Sequence, residues 1–193
     1  MNRICVFCGT NPGSRPEYGA AARQLGQILA VEEIELVYGG ASVGIMGELA
    51  DSVHEHGGHV TGIIPQQLVE KEAAHTGIAN LIVVASMHQR KSQMADMSDG
   101  FIALPGGIGT LEGFFEILTW AQLGIHAKPS GILNVAGYFD GLTGFLDHAV
   151  REGFLTEAHR HAIIVEPEPR RLLERMRGYT PPGGEKFMGR TNR

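Results

Sequence analysis

The sequence predicts an α/β fold: a doubly wound, Rossmann-like parallel sheet of about seven strands flanked by helices. Two observations carry that prediction. Short apolar runs bounded by Gly and Pro alternate with helix-period segments along the chain, and such runs are what strands covered on both faces look like. Glycine clusters then fall where strands end and helices begin, at CGTNPG (8–13), YGGASVGIMG (38–47) and LPGGIGT (104–110). Open α/β sheets bind ligands outside the carboxyl ends of their strands, so these three clusters are the informative positions.

In chain order, strands are expected at residues 4–8, 35–38, 59–64, 81–84, 100–104, 131–134 and 162–165. Helices are expected at 17–30, 44–56, 86–97, 110–123, 139–152 and 169–176. The first strand, within RICVFCG, carries Cys5 and Cys8. Residues three apart on a strand point to opposite faces, so the two thiols diverge instead of forming a redox pair. No second C-x-x-C completes a zinc site. The helix at 86–97 opens as SMHQRKSQM and places Arg90 and Lys91 near its start, where cations oppose the helix dipole. The strand at 81–84 is expected beside the one ending in PGG, which would bring Arg90 over the same cleft. The run DGFIALPGGIGTLEGFFEILTWAQLGI passes from a strand through a glycine loop into a helix that is apolar on more than one face. Phe114, Phe115 and Trp120 on that helix read as core or dimer interface. Residues 1–180 are expected to form a single Rossmann-like domain, and PPGGEKFMGRTNR at 181–193 reads as a flexible tail.

Composition narrows the function. The chain has 193 residues, 43% of them hydrophobic, and a net charge of −5, so no basic surface for nucleic acid is forced. No apolar run approaches the length of a membrane span. MNRICVFCG runs straight into a strand, so no signal peptide is expected and a cytoplasmic location follows by default. The G-x-G-x-x-G fingerprint of dinucleotide enzymes is missing after the first strand, and no G-K-[ST] follows a glycine run. Nine histidines invite a metal, but His54/His56 and His159/His161 are spaced two apart and share no helix face.

PGGIGT has its own chemistry. Glycines at a strand-to-helix turn let the backbone approach a ligand closely, and the N–H groups and dipole of the next helix favour an anion. Thr110 adds a hydroxyl donor. The competing reading is a tight turn that needs glycine for steric reasons alone.

With M-H-x-R-K and P-G-G-x-G-T both present, the chain resembles the Lonely Guy (LOG) family, phosphoribohydrolases that activate cytokinins and were often mislabelled lysine decarboxylases. CVFCG, LVYGG, GIIP, MHQRK, IALPGGIGT, TWAQLGIHAKP, NVAGYFD and EGF carry the resemblance along nearly the whole chain. A decarboxylase would need a lysine for a pyridoxal Schiff base, which nothing in the sequence supports. The resemblance implies cleavage of the N-glycosidic bond of AMP or N6-modified AMP, giving the free base and ribose 5-phosphate without metal or cofactor. It also implies a homodimer or larger homo-oligomer with the site near the interface. By resemblance Arg90 is catalytic and Lys91 lies beside it. Gly106, Gly107, Ile108, Gly109 and Thr110 hold the phosphate end, and Glu72, Met87 and Thr119 are further substrate-binding positions.

One position departs from the family pattern. The signature P-G-G-x-G-T-x-x-E puts its glutamate at residue 113, and this chain has Gly113 preceded by Glu112. Cleavage of a ribosyl C–N bond builds positive charge on the sugar, and a carboxylate beside it stabilises that charge or activates water. Two expectations therefore stand open. Either turnover is impaired and Gly113→Glu restores it together with helix stability, or Glu112 or Glu116 has taken over. A non-catalytic nucleotide-binding or cofactor-carrier protein on the same fold is the alternative function.

Overall fold

The computed structural model describes residues 1–69, 71, 74–77 and 80–182. Glu72 and residues 183–193 of the expected tail lie outside them. Seven parallel strands form one sheet: β1 (Arg3–Phe7), β2 (Glu35–Tyr38), β3 (Val60–Pro65), β4 (Asn80–Val84), β5 (Gly100–Ala103), β6 (Ser130–Leu133) and β7 (Ile163–Glu166). Their spatial order is β4-β3-β2-β1-β5-β6-β7, every pairing parallel. The helices are α1 (Pro16–Val31), α2 (Gly44–Glu55), α3 (Met87–Met97), α4 (Ile108–Gln122), α5 (Asp140–Arg151), α6 (Glu157–His161) and α7 (Pro169–Arg177).

Alternation along β1 divides the core into two layers. Ile4, Val6 and Cys8 pack with Leu25, Leu29, Leu49 and Leu172, from α1, α2 and α7. Cys5 and Phe7 pack with Met94, Phe114, Ile117 and Leu146, from α3, α4 and α5. The two cysteines therefore sit on opposite faces of the sheet, as a spacing of three on a strand requires. Both are buried, and burial pushes both thiols well above their ordinary range, away from thiolate chemistry.

The expected strands are all present, with shifts of one residue at several ends. One neighbour relation was wrong. β4 lies at the sheet edge, paired with β3, and is separated from β5 by β3, β2 and β1. Parallel order requires a crossover from edge to centre, and α3 makes it, touching β1, β2, β3 and β4 on the way. The short α6 was not expected. Its five residues, EAHRH, carry no helical apolar period, and the helix starts on Thr156, whose hydroxyl accepts from His159 N–H at 3.2 Å.

Asp99 ties the start of β5 to the N-terminal end of β1. Its Oδ2 accepts from Asn2 N–H at 2.6 Å and Arg3 N–H at 3.1 Å, and its own N–H donates to the Arg3 carbonyl at 2.8 Å. Partial burial alone would raise the pKa of this carboxyl; the two backbone donors outweigh it and hold the group below its ordinary value. A depressed carboxyl stabilises the fold fully above the unfolded value near 3.8, and that stability is lost as pH falls through the lower folded value. Asp99→Asn should therefore cost about 1 kcal/mol at neutral pH, a value discounted for the exposure of the site. Thermal melts across pH should show the gap closing at acid pH; equal stabilities at neutral pH would remove the clamp.

Candidate functional site

The winding of the chain sets the location of the site. From β1 the strands step outward to β4, and after α3 they step the other way, so β1 and β5 flank the switch point. Their following loops separate there and open a cleft of about 530 Å³, within the ~300–1,000 Å³ usual for small-molecule sites. Backbone bonds fix the rim. Gly9 N–H donates to the Pro105 carbonyl at 3.1 Å, and Met46 N–H donates to the Gly9 carbonyl at 3.1 Å. All three glycine clusters thus meet at one cleft.

The loop after β5 separates the steric and the ligand explanations of its glycines. At Gly106 a Cβ would run into the Thr110 side chain and come 2.7 Å from Gly9 N, so the turn itself excludes a side chain there. At Gly107 and Gly109 a Cβ would meet nothing within 4 Å, and neither residue has a positive φ. Packing does not require glycine at those two positions, and they face the cleft. Gly107 is also the N-cap of α4, which has no side-chain cap; Thr110 and Leu111 N–H donate to the Gly107 carbonyl at 3.1 and 3.2 Å, which leaves the N–H groups of Ile108 and Gly109 to face an anion. Thr110, 5% exposed, lines the same wall.

Arg90 reaches the cleft from the opposite side, by a route other than the expected one. α3 starts at the β4 edge, with Ser86 capping through Gln89 N–H at 3.1 Å, and crosses back over β3 and β2. Arg90 is 7% exposed, donating from Nε to the Ile63 carbonyl at 2.9 Å and from Nη2 to the Gly39 carbonyl at 2.6 Å. Gly39 is required by this contact, because a Cβ there would collide with Nη2. A buried guanidinium is tolerated because two backbone carbonyls solvate it, and the result is a fixed positive charge lining the cleft.

Lys91 points to α4. Its Nζ lies 2.5 Å from Glu112 Oε1 and 3.1 Å from Glu116 Oε2. Burial works against its charge; hydrogen bonds and charge from the two glutamates outweigh it and raise its pKa. Glu112 lines the cleft and its side chain is half-exposed. Gly113 is buried, and a Cβ there would stand 2.8 Å from both Cδ1 and Cε1 of Phe7. The helix stability expected from a glutamate at 113 is therefore opposed by packing: the second turn of α4 lies so close to β1 that the Phe7 ring would have to shift.

Met87 and Ile108 also line the cleft. Thr119 does not. It lies on the exposed side of α4, donating to the Phe115 carbonyl at 2.8 Å, and lines a second cavity near the end of that helix. Phe114 is fully buried, and Phe115 and Trp120 pack against the core, so none of these rings lines the cleft. The sequence reading missed Asn11, Tyr18, Met46, Leu68 and Tyr138 as cleft residues. Tyr138 donates to the Gly106 carbonyl at 2.7 Å and meets Tyr18 edge-on at 5.5 Å. The signal for them was partial: Asn11 and Met46 fall inside the glycine clusters, and Tyr138 follows the turn in NVAGYFD.

Fold and site together define an α/β protein with a glycine-lined cleft at the switch point of its sheet. A family model described as "Possible lysine decarboxylase" matches residues 46–176. A cytokinin riboside 5'-monophosphate phosphoribohydrolase of Arabidopsis thaliana is 50% identical over 181 residues, covering 94% of this chain and 83% of that protein. A probable enzyme of the same description from Oryza sativa subsp. japonica is 51% identical over 182 residues, covering 94% and 74%. The chain belongs to this family, the LOG family. Among solved structures, a molybdenum cofactor binding protein from Rippkaea orientalis shares the fold at 23% identity and TM-score 0.68, covering 92% of this chain and 96% of that one. A Moco carrier protein from Chlamydomonas reinhardtii does so at 19% identity and the same TM-score and coverage.

The glycine loop makes a direct prediction. Gly107→Ala should leave stability within about 0.5 kcal/mol and weaken binding of inorganic phosphate roughly tenfold. Gly106→Ala should destabilise by roughly 1–3 kcal/mol through its contact with Thr110. Thermal melts with phosphate titrations read both; unchanged phosphate affinity in Gly107→Ala would remove the anion site.

Proposed function

We propose that this chain hydrolyses the N-glycosidic bond of AMP or N6-substituted AMP, releasing the base and ribose 5-phosphate. The observation that carries the reading is the convergence of an uncapped, glycine-lined helix N-terminus and a fixed, buried Arg90 in one cleft. The activity named for the Arabidopsis relative supports it. The 5′-phosphate binds at Gly107, Ile108, Gly109 and Thr110, converting remote binding energy into alignment of the sugar. Met87 and Leu68 supply apolar wall for the base. Arg90 offers positive charge toward the side where the base departs with the bond's electron pair, and it acts as a fixed charge, since guanidinium does not give up a proton. The reading requires no metal or cofactor, and the site of action proposed is the cytoplasm.

Gly113 favours a second reading, a protein that binds nucleotide without turning it over. Incubation with AMP and with N6-isopentenyl-AMP, followed by chromatography of the free base, decides between the two. The first reading expects base and ribose 5-phosphate in equal amounts, and a loss of roughly 10²–10³-fold in Arg90→Ala. Nucleotide binding with no base released would favour the second.

The proposal includes a homodimer that covers part of α4 and the turn after it. On α4 only Thr110, Gly113, Phe114 and Ile117 are buried, while Leu123 and Ile125 are 46% and 65% exposed. Light scattering at micromolar concentration should give twice the chain mass; a monomer mass would end this part of the proposal.

A further inference from the structure

We infer that Glu112 is the catalytic carboxylate of this chain, positioned by the Lys91–Glu116 pair, and that Phe7 against Gly113 keeps a carboxylate from working at the next position. The inference rests on the phosphoribohydrolase reading above.

Steric evidence addresses position 113. The Phe7 ring is 8% exposed and packs in the cluster that holds Phe101, Ala103 and Phe114. A side chain at 113 would start 2.8 Å from two atoms of that ring. It could enter the cleft only by displacing a ring that itself lines the cleft wall.

Charge evidence addresses position 112. Lys91 Nζ lies between two carboxylates on α4, one turn apart, and its side chain is 12% exposed. The two carboxylates differ in surroundings. Glu116 lies outside the cleft lining, with its Oε2 turned inward against Lys91 Nζ at 3.1 Å. Glu112 lines the cleft and is 52% exposed. Three charged groups sum to −1. Lys91 contacts both carboxylates, so the cluster keeps one net negative charge, and Glu112 is the member that faces the ligand space. A single Lys–Glu pair would leave Glu112 neutralised; the second glutamate keeps it available.

The step balances without a further reactant. The C1′–N bond breaks and its electron pair leaves with the base, while positive charge develops on the ribosyl ring beside the Glu112 carboxylate. Water attacks C1′, a C–O bond forms, and Glu112 accepts the water proton. That proton passes through solvent to the nitrogen of the departing base, which restores the carboxylate. Glu116 touches no substrate in this scheme and is a positioning residue.

The test measures base release, AMP affinity and pH dependence for the unmodified chain, Glu112→Gln, Glu116→Gln and Gly113→Glu. Glu112→Gln should lower kcat by roughly 10²–10³-fold with AMP affinity nearly unchanged. In Glu116→Gln the unopposed Lys91 charge acts on Glu112 alone, so kcat should fall and the acid limb of kcat/KM should move to lower pH. A purely structural role for Glu116 would leave that limb in place. Gly113→Glu should change kcat by less than about threefold, because its carboxylate is turned away by Phe7. Full activity in Glu112→Gln, or a gain of about 10²-fold in Gly113→Glu, overturns the inference and leaves the phosphoribohydrolase reading standing. No base from the unmodified chain or any variant overturns that reading, and this inference with it.

Discussion

The structure depends on one topological constraint, the reversal of winding at β1. Parallel strands joined by helices must close each crossover on one face of the sheet. When the chain turns back from the β4 edge, α3 has to cross the sheet to start β5. That return lays MHQRK over the carboxyl ends of β2 and β3 and sets PGGIGT beside the loop after β1. The cleft is the space left between two loops that part in opposite directions.

Within it the buried Arg90 charge is compensated by backbone groups. Arg90 is held by the carbonyls of Ile63, within β3, and of Gly39, just after β2. The proposed anion end is the start of α4, which has no side-chain cap, with no lysine or arginine on the PGGIGT loop. Positive potential therefore comes from rigid elements, so little reorganises when a charged ligand enters. Lys91 plays a different part, since Glu112 and Glu116 offset its charge.

Much of this was legible from the residues, and the failures share a cause. The strand positions follow from local apolar runs, and the three clusters were recognisable because glycine concentrates where backbone meets backbone or ligand. What the pattern could not give was adjacency. Strand β4 was expected next to β5, and Arg90 reached the cleft for another reason, the path of α3. Local reasoning also misjudged Gly113. Propensity describes a helix alone, and the Phe7 ring that decides the matter is 106 positions away in sequence and in contact in space. Tyr138 was missed for the same reason: its hydroxyl is aimed at Gly106 by a turn with left-handed Ala136 and Gly137 that carries no strong pattern. Thr119, expected by resemblance to bind substrate, lies outside the cleft of its own chain.

The most direct measurement is a crystal structure of the chain with AMP bound, using Glu112→Gln to slow turnover. The account predicts the phosphate against the N–H groups of Gly107, Ile108 and Gly109 at the start of α4, with C1′ facing residue 112 and the base toward Arg90 and Met87. A phosphate seated elsewhere with this loop empty, or a ribose turned toward Phe7 and away from residue 112, would contradict it.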